Sequence, residues 1–115
     1  MAFQLACALE DVPTDEGLKV TLGRYDLVVA RDGDDVYALE DQCSHAAVPL
    51  SEGEVADCQI ECWLHGSTFD LRTGKPVSLP ATEPVATFPV EVRDGGSGPQ
   101  IFIDTDTTLN GVTPA

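Results

Sequence analysis

The sequence predicts an all-β protein: an antiparallel β-sandwich in which a larger β base carries a smaller inserted subdomain. Three observations predict it. Apolar residues alternate with polar ones or run unbroken only briefly, Gly-, Asp- and Pro-rich turns separate these runs, and no window keeps a helical period over several turns.

Each element follows in chain order. The first strand lies in the N-terminal segment, which includes Cys7. In LKVTL, Leu18, Val20 and Leu22 alternate with Lys19 and Thr21, the pattern of a half-buried strand. Tyr25 to Ala30 and Val36 to Leu39 are apolar runs separated by RDGDD, which predicts a hairpin with Gly33 in its turn. Phe88, Val90 and Val92 alternate with Pro89, Glu91 and Arg93, and the proline assigns this strand to an edge or a bulge. DGGSGPQ then turns the chain into IFID, with Ile101 and Ile103 on one face of a second hairpin. The polar tail after Asp104 reads as frayed or disordered. The base is thus expected at about residues 1–40 and 85–115 of one domain. The stretch at about 41–84 is rich in turn formers, holds both histidines and three of the four cysteines, and reads as the functional insertion.

Composition narrows the function. Twenty acidic against six basic residues give a net charge of −14. Nucleic acid and anionic membrane are disfavoured as partners, because phosphate neutralisation needs Lys and Arg. A soluble partner with a basic patch is favoured, and an acidic surface that serves only solubility is the plainer alternative. No apolar run is long enough to cross a membrane, and the N-terminus lacks the features of a signal peptide, so a cytoplasmic protein is expected. A monomer is the default. Four cysteines in such a chain argue for metal or free thiol over a disulfide framework.

The metal-ligand pattern is specific. Cys43-x-His45 is followed, after sixteen intervening residues, by Cys62-x-x-His65, and these hold the chain's only two histidines. One tetrahedral zinc accepts two Cys and two His, although its ligand pairs usually stand two to four residues apart. Two adjacent irons offer another arrangement, one taking both cysteines and the other both histidines. Spacing alone leaves both open. Cys7 and Cys58 read as non-ligands, small buried hydrophobes. The carboxylates Glu52, Glu54, Asp57 and Glu61 read as a solvated acidic rim. With both histidines committed, no Ser–His or Cys–His nucleophile remains, and no GxGxxG opens a nucleotide site.

CSH…CWLHG, together with LSEG and STFDLRTGKPVSLPA, resembles the Rieske-type [2Fe–2S] proteins. More closely, the chain resembles the small Rieske ferredoxins of bacterial aromatic-ring-hydroxylating dioxygenase systems, such as those for carbazole and biphenyl. The resemblance implies a Rieske fold with one [2Fe–2S] cluster per chain. Cys43 and Cys62 would bind one iron, and His45 and His65 would bind the other through Nδ1. The proline-bearing SLPATEP, with Pro80 and Pro84, would cover the cluster. It also implies partners: a flavin-dependent ferredoxin reductase as electron donor and a terminal Rieske oxygenase as acceptor. The chain would carry electrons and catalyse nothing itself. Alternatives are a Rieske subunit of another oxidoreductase, such as nitrite reductase, or a zinc-stabilised binding module.

Departures from relatives refine the expectation. Respiratory Rieske proteins join two extra cysteines as a disulfide, and Val48 and Leu64 stand at those positions here. Phe69 replaces their cluster-donating tyrosine, whereas Ser67 keeps the serine. A potential near the bottom of the Rieske range, roughly −150 to +300 mV, is expected, with Ser67 lifting it slightly. Trp63 stands where proline is usual and is either loop packing or an exposed contact for a partner.

Overall fold

The computed structural model describes residues 3–33, 35–42, 48–63, 66–77, 83–94, 96 and 98–112. Among these, ten strands form three antiparallel sheets and the only helical pieces are two 3₁₀ turns, Leu9–Asp11 and Leu50–Glu52. The all-β expectation holds.

The central sheet has the order β2-β3-β4-β8, from Leu18–Leu22, Tyr25–Asp32, Asp35–Glu40 and Thr87–Phe88. β3 and β4 form the expected hairpin, with Asp32 opposite Asp35 and Gly33 at φ +62° in the turn. The unbroken apolar run in β3 has a physical reason. Leu27 and Val29 enter one core with Val20, Phe88, Ile101 and Ile103, while Val28 and Ala30 enter a second with Leu50, Val55, Ile60 and Phe69. A strand covered on both faces cannot alternate apolar with polar.

The second sheet, β1-β10-β9, joins Phe3–Ala8, Pro99–Asp104 and Val90–Asp94. Ile101 and Ile103 of β10 are fully buried on one face, as expected. Pro89 marks a change of sheet. Before it, Thr87 and Phe88 pair with β4; after it, Val90 to Asp94 pair with β10. Proline removes the N–H that a continuous ladder would need, so the chain leaves one edge and joins another there. The apolar face expected for this strand fades along it: Phe88 is buried, Val90 half-buried and Val92 exposed, because β9 is the outer strand.

The third sheet was not legible in the sequence. Val55–Ala56 (β5), Gln59–Glu61 (β6) and Thr68–Asp70 (β7) pair in the order β5-β6-β7. These strands of two or three residues are too short to display a period. Bridges from Glu16 to Glu54 and from Phe69 to Pro76 extend this sheet on both sides.

The tail expectation is corrected. Residues 105–112 are tied down: the Leu109 N–H donates to the Thr87 carbonyl at 2.8 Å. The Asn110 amide donates to the carbonyls of Thr73 (2.9 Å) and Val85 (2.8 Å), and its oxygen accepts the Thr87 N–H at 3.2 Å. One side chain thus bonds three backbone groups from two segments, a role that polarity alone misreads as fraying.

Candidate metal centre

The sequence-predicted ligands Cys43, His45 and His65 lie outside the described residues, as do Leu64 and Pro80. Cys62 is described and is fully buried at the end of β6, within the core that also holds Ile60, Phe69 and Leu50.

Both ligand-bearing segments are braced at their ends. The first runs from residue 41 to 51. The Asp41 carboxylate accepts the Ser51 N–H at 2.6 Å through one oxygen and the Ser51 hydroxyl at 2.7 Å through the other. The Asp41 N–H in turn donates to the Asp26 carbonyl at 2.9 Å, anchoring the clamp to β3. Asp41 is buried, so this two-point contact is stronger than a solvated one. The second loop, 62–67, closes on itself. The Cys62 N–H donates to the Ser67 carbonyl at 2.6 Å, and the Gly66 N–H donates back to the Cys62 carbonyl at 2.9 Å. Gly66 has φ +75°, in the left-handed region open to glycine at little cost. Asp41 and Ser51 were missed by sequence reasoning. A buried carboxylate ten residues before a serine carries no periodic signal.

Ser67 and Phe69 are fully buried just beyond this loop. Phe69 fills the second core. Val48 packs against that same core at the position where a disulfide cysteine would stand. Trp63, adjacent to Cys62, is 49% exposed and belongs to neither core. Packing therefore does not account for it. Val77, in the segment that donates to the Thr68 carbonyl at 2.7 Å, is likewise exposed. Glu52, Glu54 and Asp57 are exposed and Glu61 is half-buried, which fits an acidic rim.

The other two thiols occupy hydrophobic surroundings. Cys7 packs against the first core from β1, and burial, with a smaller contribution from Asp11, pushes its pKa from 9.0 to about 11. Cys58 is buried in the second core. It sits in the two-residue β5–β6 turn, where Asp57 and Cys58 have φ of 54° and 59°. Two successive positive φ values define a type I′ turn, whose second position favours glycine. Cys58 is held there by burial in the core, against which Tyr37 also packs. Desolvation raises the Cys58 pKa, and Tyr37 is pushed up to about 12, first by burial and then by Cys58. Thiolate is the reactive form. Cys7 and Cys58 are therefore expected to resist iodoacetamide for hours at about pH 8, as mass spectrometry of the native protein would read. The linkage has a definite sign. Each of these acids ionises more readily when unfolded, so the unfolded state binds fewer protons at alkaline pH and stability falls as pH rises. For Cys7 the fall begins above 9.0 and is complete near 11. Thermal denaturation between these limits checks it, and Cys7→Ala should flatten the slope.

Against known proteins, the sequence matches the Rieske [2Fe–2S] domain over residues 2–89. It is 41% identical over 100 residues to the 3-phenylpropionate/cinnamic acid dioxygenase ferredoxin subunit of Escherichia coli K12, covering 86% of this chain and 90% of that protein. Its fold superimposes on a ferredoxin–oxygenase complex of carbazole 1,9a-dioxygenase with TM-score 0.82 and 36% identity, over 93% of this chain and 96% of the matched one. The ferredoxin of carbazole 1,9a-dioxygenase from Nocardioides aromaticivorans IC177 matches with TM-score 0.81 and 32% identity, over 90% of this chain and 97% of that one.

A small antiparallel all-β protein with a buried cysteine in a hydrogen-bonded loop, similar over its length to ferredoxin subunits, is an electron-transfer protein rather than an enzyme. The chain belongs to the Rieske [2Fe–2S] domain family, and its cofactor is a Rieske-type [2Fe–2S] cluster. No helix among the described residues is long and apolar enough to cross a membrane.

Proposed function

We propose that this protein is the cytoplasmic, monomeric ferredoxin component of an aromatic-ring-hydroxylating dioxygenase system. It takes single electrons from a flavin-dependent, NAD(P)H-oxidising reductase and delivers them to a terminal Rieske oxygenase. The observation that carries this is full-length similarity to ferredoxin subunits, one of them captured with its oxygenase, which favours this reading over a nitrite reductase subunit or a zinc module.

Cys43 and Cys62 are assigned to one iron and His45 and His65 to the other. The fit rests on the donor chemistry of the set and on the fully buried Cys62 in a loop closed by two backbone bonds. When bound, such a cluster stores one electron at a potential above that of all-cysteine ferredoxins, since neutral imidazoles replace two thiolates. The chain's own residues do the rest. The Asp41–Ser51 clamp and the Cys62–Ser67 closure keep the ligand loops in place through both redox states. Residues 41–84 are read as the cluster-binding subdomain, and 1–40 with 85–115 as its base. Ser67, buried at the end of the second loop, is read as the hydroxyl that donates to the cluster, so Ser67→Gly should lower the midpoint potential in voltammetry.

Trp63 is the contact for the oxygenase: large, half-exposed, outside both cores and one residue from a ligand. Trp63→Pro should weaken oxygenase binding about tenfold, a typical cost for a moderate aromatic hot spot, while leaving cluster content and midpoint unchanged. An unaltered dissociation constant sinks this assignment. The whole function is tested by reconstitution. NADH-driven hydroxylation of an aromatic substrate should need reductase, this protein and oxygenase together. Turnover undiminished when this protein is omitted would overturn the reading.

A further inference from the structure

Asn110 does more than secure the tail. Its amide donates to the Thr73 carbonyl at 2.9 Å and to the Val85 carbonyl at 2.8 Å, so it grips both ends of the segment 73–85. Its oxygen accepts the N–H groups of Thr87 at 3.2 Å and Val112 at 3.3 Å. Both amide protons and both lone pairs are thereby used. The backbone closes the same neck, because the Val85 N–H donates to the Gly74 carbonyl at 2.9 Å. The neck is tight. Gly74 has φ +73°, and a Cβ there would collide with the Val85 carbonyl oxygen and stand 3.0 Å from the Asn110 Nδ2.

From this neck a run of hydrogen bonds leads to the second ligand loop. The Gly74 N–H donates to the Asp70 carbonyl at 2.8 Å, and the Asp70 N–H donates to the Lys75 carbonyl at 2.9 Å. The Val77 N–H donates to the Thr68 carbonyl at 2.7 Å, and Pro76 bridges Phe69. Residues 74–77 thus lie along β7 on the side away from β6. β7 begins at Thr68, the residue after Ser67, and the Ser67 carbonyl accepts the Cys62 N–H at 2.6 Å. Where β7 sits therefore sets where the Cys62 loop closes. Asn110 itself stands outside residues 2–89, the span that matches the Rieske domain, so the domain pattern assigns it no role.

We propose that Asn110 is a positioning residue for the cluster. By holding Thr73 and Val85 together it fixes residues 74–77 against β7, and through β7 it fixes the loop that presents Cys62. This rests on the reading that Cys62 is a ligand. The site needs an amide, which alone among short side chains offers two donors and an acceptor. Asp at this position keeps the acceptor for Thr87 and Val112 but sets a carboxylate against two carbonyl oxygens, with no proton to share. Ala removes the donors and adds no charge.

The test uses cluster-loaded Asn110→Asp and Asn110→Ala. Ile103→Val and Ile103→Ala, fully buried in the first core and outside this run of bonds, serve as controls that lower Tm by another route. Visible absorbance follows cluster loss to excess EDTA, and far-UV circular dichroism checks the fold. Asn110→Asp should lose its cluster about tenfold faster than the native protein, the low end of the effect of residues that orient metal ligands. Asn110→Ala should lose it about threefold faster, as suits lost neutral hydrogen bonds, and it carries the test if Asn110→Asp does not load. Amide exchange over residues 68–77 should quicken in Asn110→Ala while β1 and β10 keep native rates. The visible circular dichroism of the cluster should change in the Asn110 variants and stay native in the controls. Native rates of cluster loss in Asn110→Ala overturn the proposal. So does equally fast loss in an Ile103 variant of the same Tm, since stability alone would then explain it. The underlying reading fails separately, by iron retained in Cys62→Ser.

Discussion

Cys62→Ser should abolish the cluster, whereas Cys7→Ala and Cys58→Ala should retain it. The contrast follows from where the three thiols sit. Cys7 and Cys58 are wedged among hydrophobic side chains with their pKa values raised, the environment of an inert thiol. Cys62 lies between two backbone hydrogen bonds in a loop that begins at the end of β6. A thiol that binds metal must release its proton, and a serine hydroxyl does so far less readily. In Cys62→Ser, iron content should fall to below about a tenth of the native protein's, in line with the tenfold or greater losses that even ligand-supporting residues cause. The dithionite-reduced spectrum in low-temperature EPR should lose its rhombic signal. The native protein should show the average g of mixed Cys/His ligation. The higher average g of an all-cysteine cluster, or iron retained in Cys62→Ser, would transfer the ligand role to Cys7 or Cys58. A colourless native protein holding stoichiometric zinc would displace the electron-carrier reading altogether.

How much of this was legible before folding depends on what kind of signal each residue carries. β2, the β3–β4 hairpin and the β9–β10 hairpin were visible because period and turn chemistry are local. Pro89 assigns its strand to an edge or a bulge, and β9 is an outer strand, but the transfer from the central sheet to another depends on which neighbours the strand finds. β5, β6 and β7 were invisible, since strands this short owe their existence to the loops they support. The Asn110 and Asp41 brackets were hidden for the same reason. Each is one polar side chain whose partners lie ten to thirty-seven residues away in sequence. The candidate ligands were legible for the opposite reason: His and Cys at fixed short spacings are chemistry written locally, whatever fold carries them. Of the four, the structure speaks directly to Cys62 alone.

The glycine in LSEG, Gly53, sits where the first ligand loop meets the strand leading into the second. Gly53 ends the 3₁₀ turn Leu50–Glu52, and its N–H donates to the Leu50 carbonyl at 2.9 Å. Its φ of −92° is open to any residue, so conformational freedom does not explain the glycine. Close approach does. A Cβ at Gly53 would stand 1.6 Å from the Glu61 carbonyl oxygen and 2.8 Å from its carbon. These are backbone atoms of β6 immediately before Cys62, and no rotamer change can move them aside. Gly53→Ala must therefore push the chain after the first ligand loop away from the strand that leads into the second. The Glu61 N–H donation to the Glu54 carbonyl, 2.9 Å, would be strained or lost in the process. Overpacking against side chains typically costs about 1–3 kcal/mol, occasionally more, and rigid backbone leaves less room to relax, so a loss of about 3 kcal/mol or more is expected. For a chain of this size that corresponds to a fall in Tm of more than about 10 °C. Because the displaced groups link the two ligand loops, cluster occupancy should fall along with stability. Calorimetry and the visible absorbance of purified Gly53→Ala would read both. A variant with native Tm and full cluster content would show that the segments can part without cost, and that the two loops are not mechanically joined at Gly53.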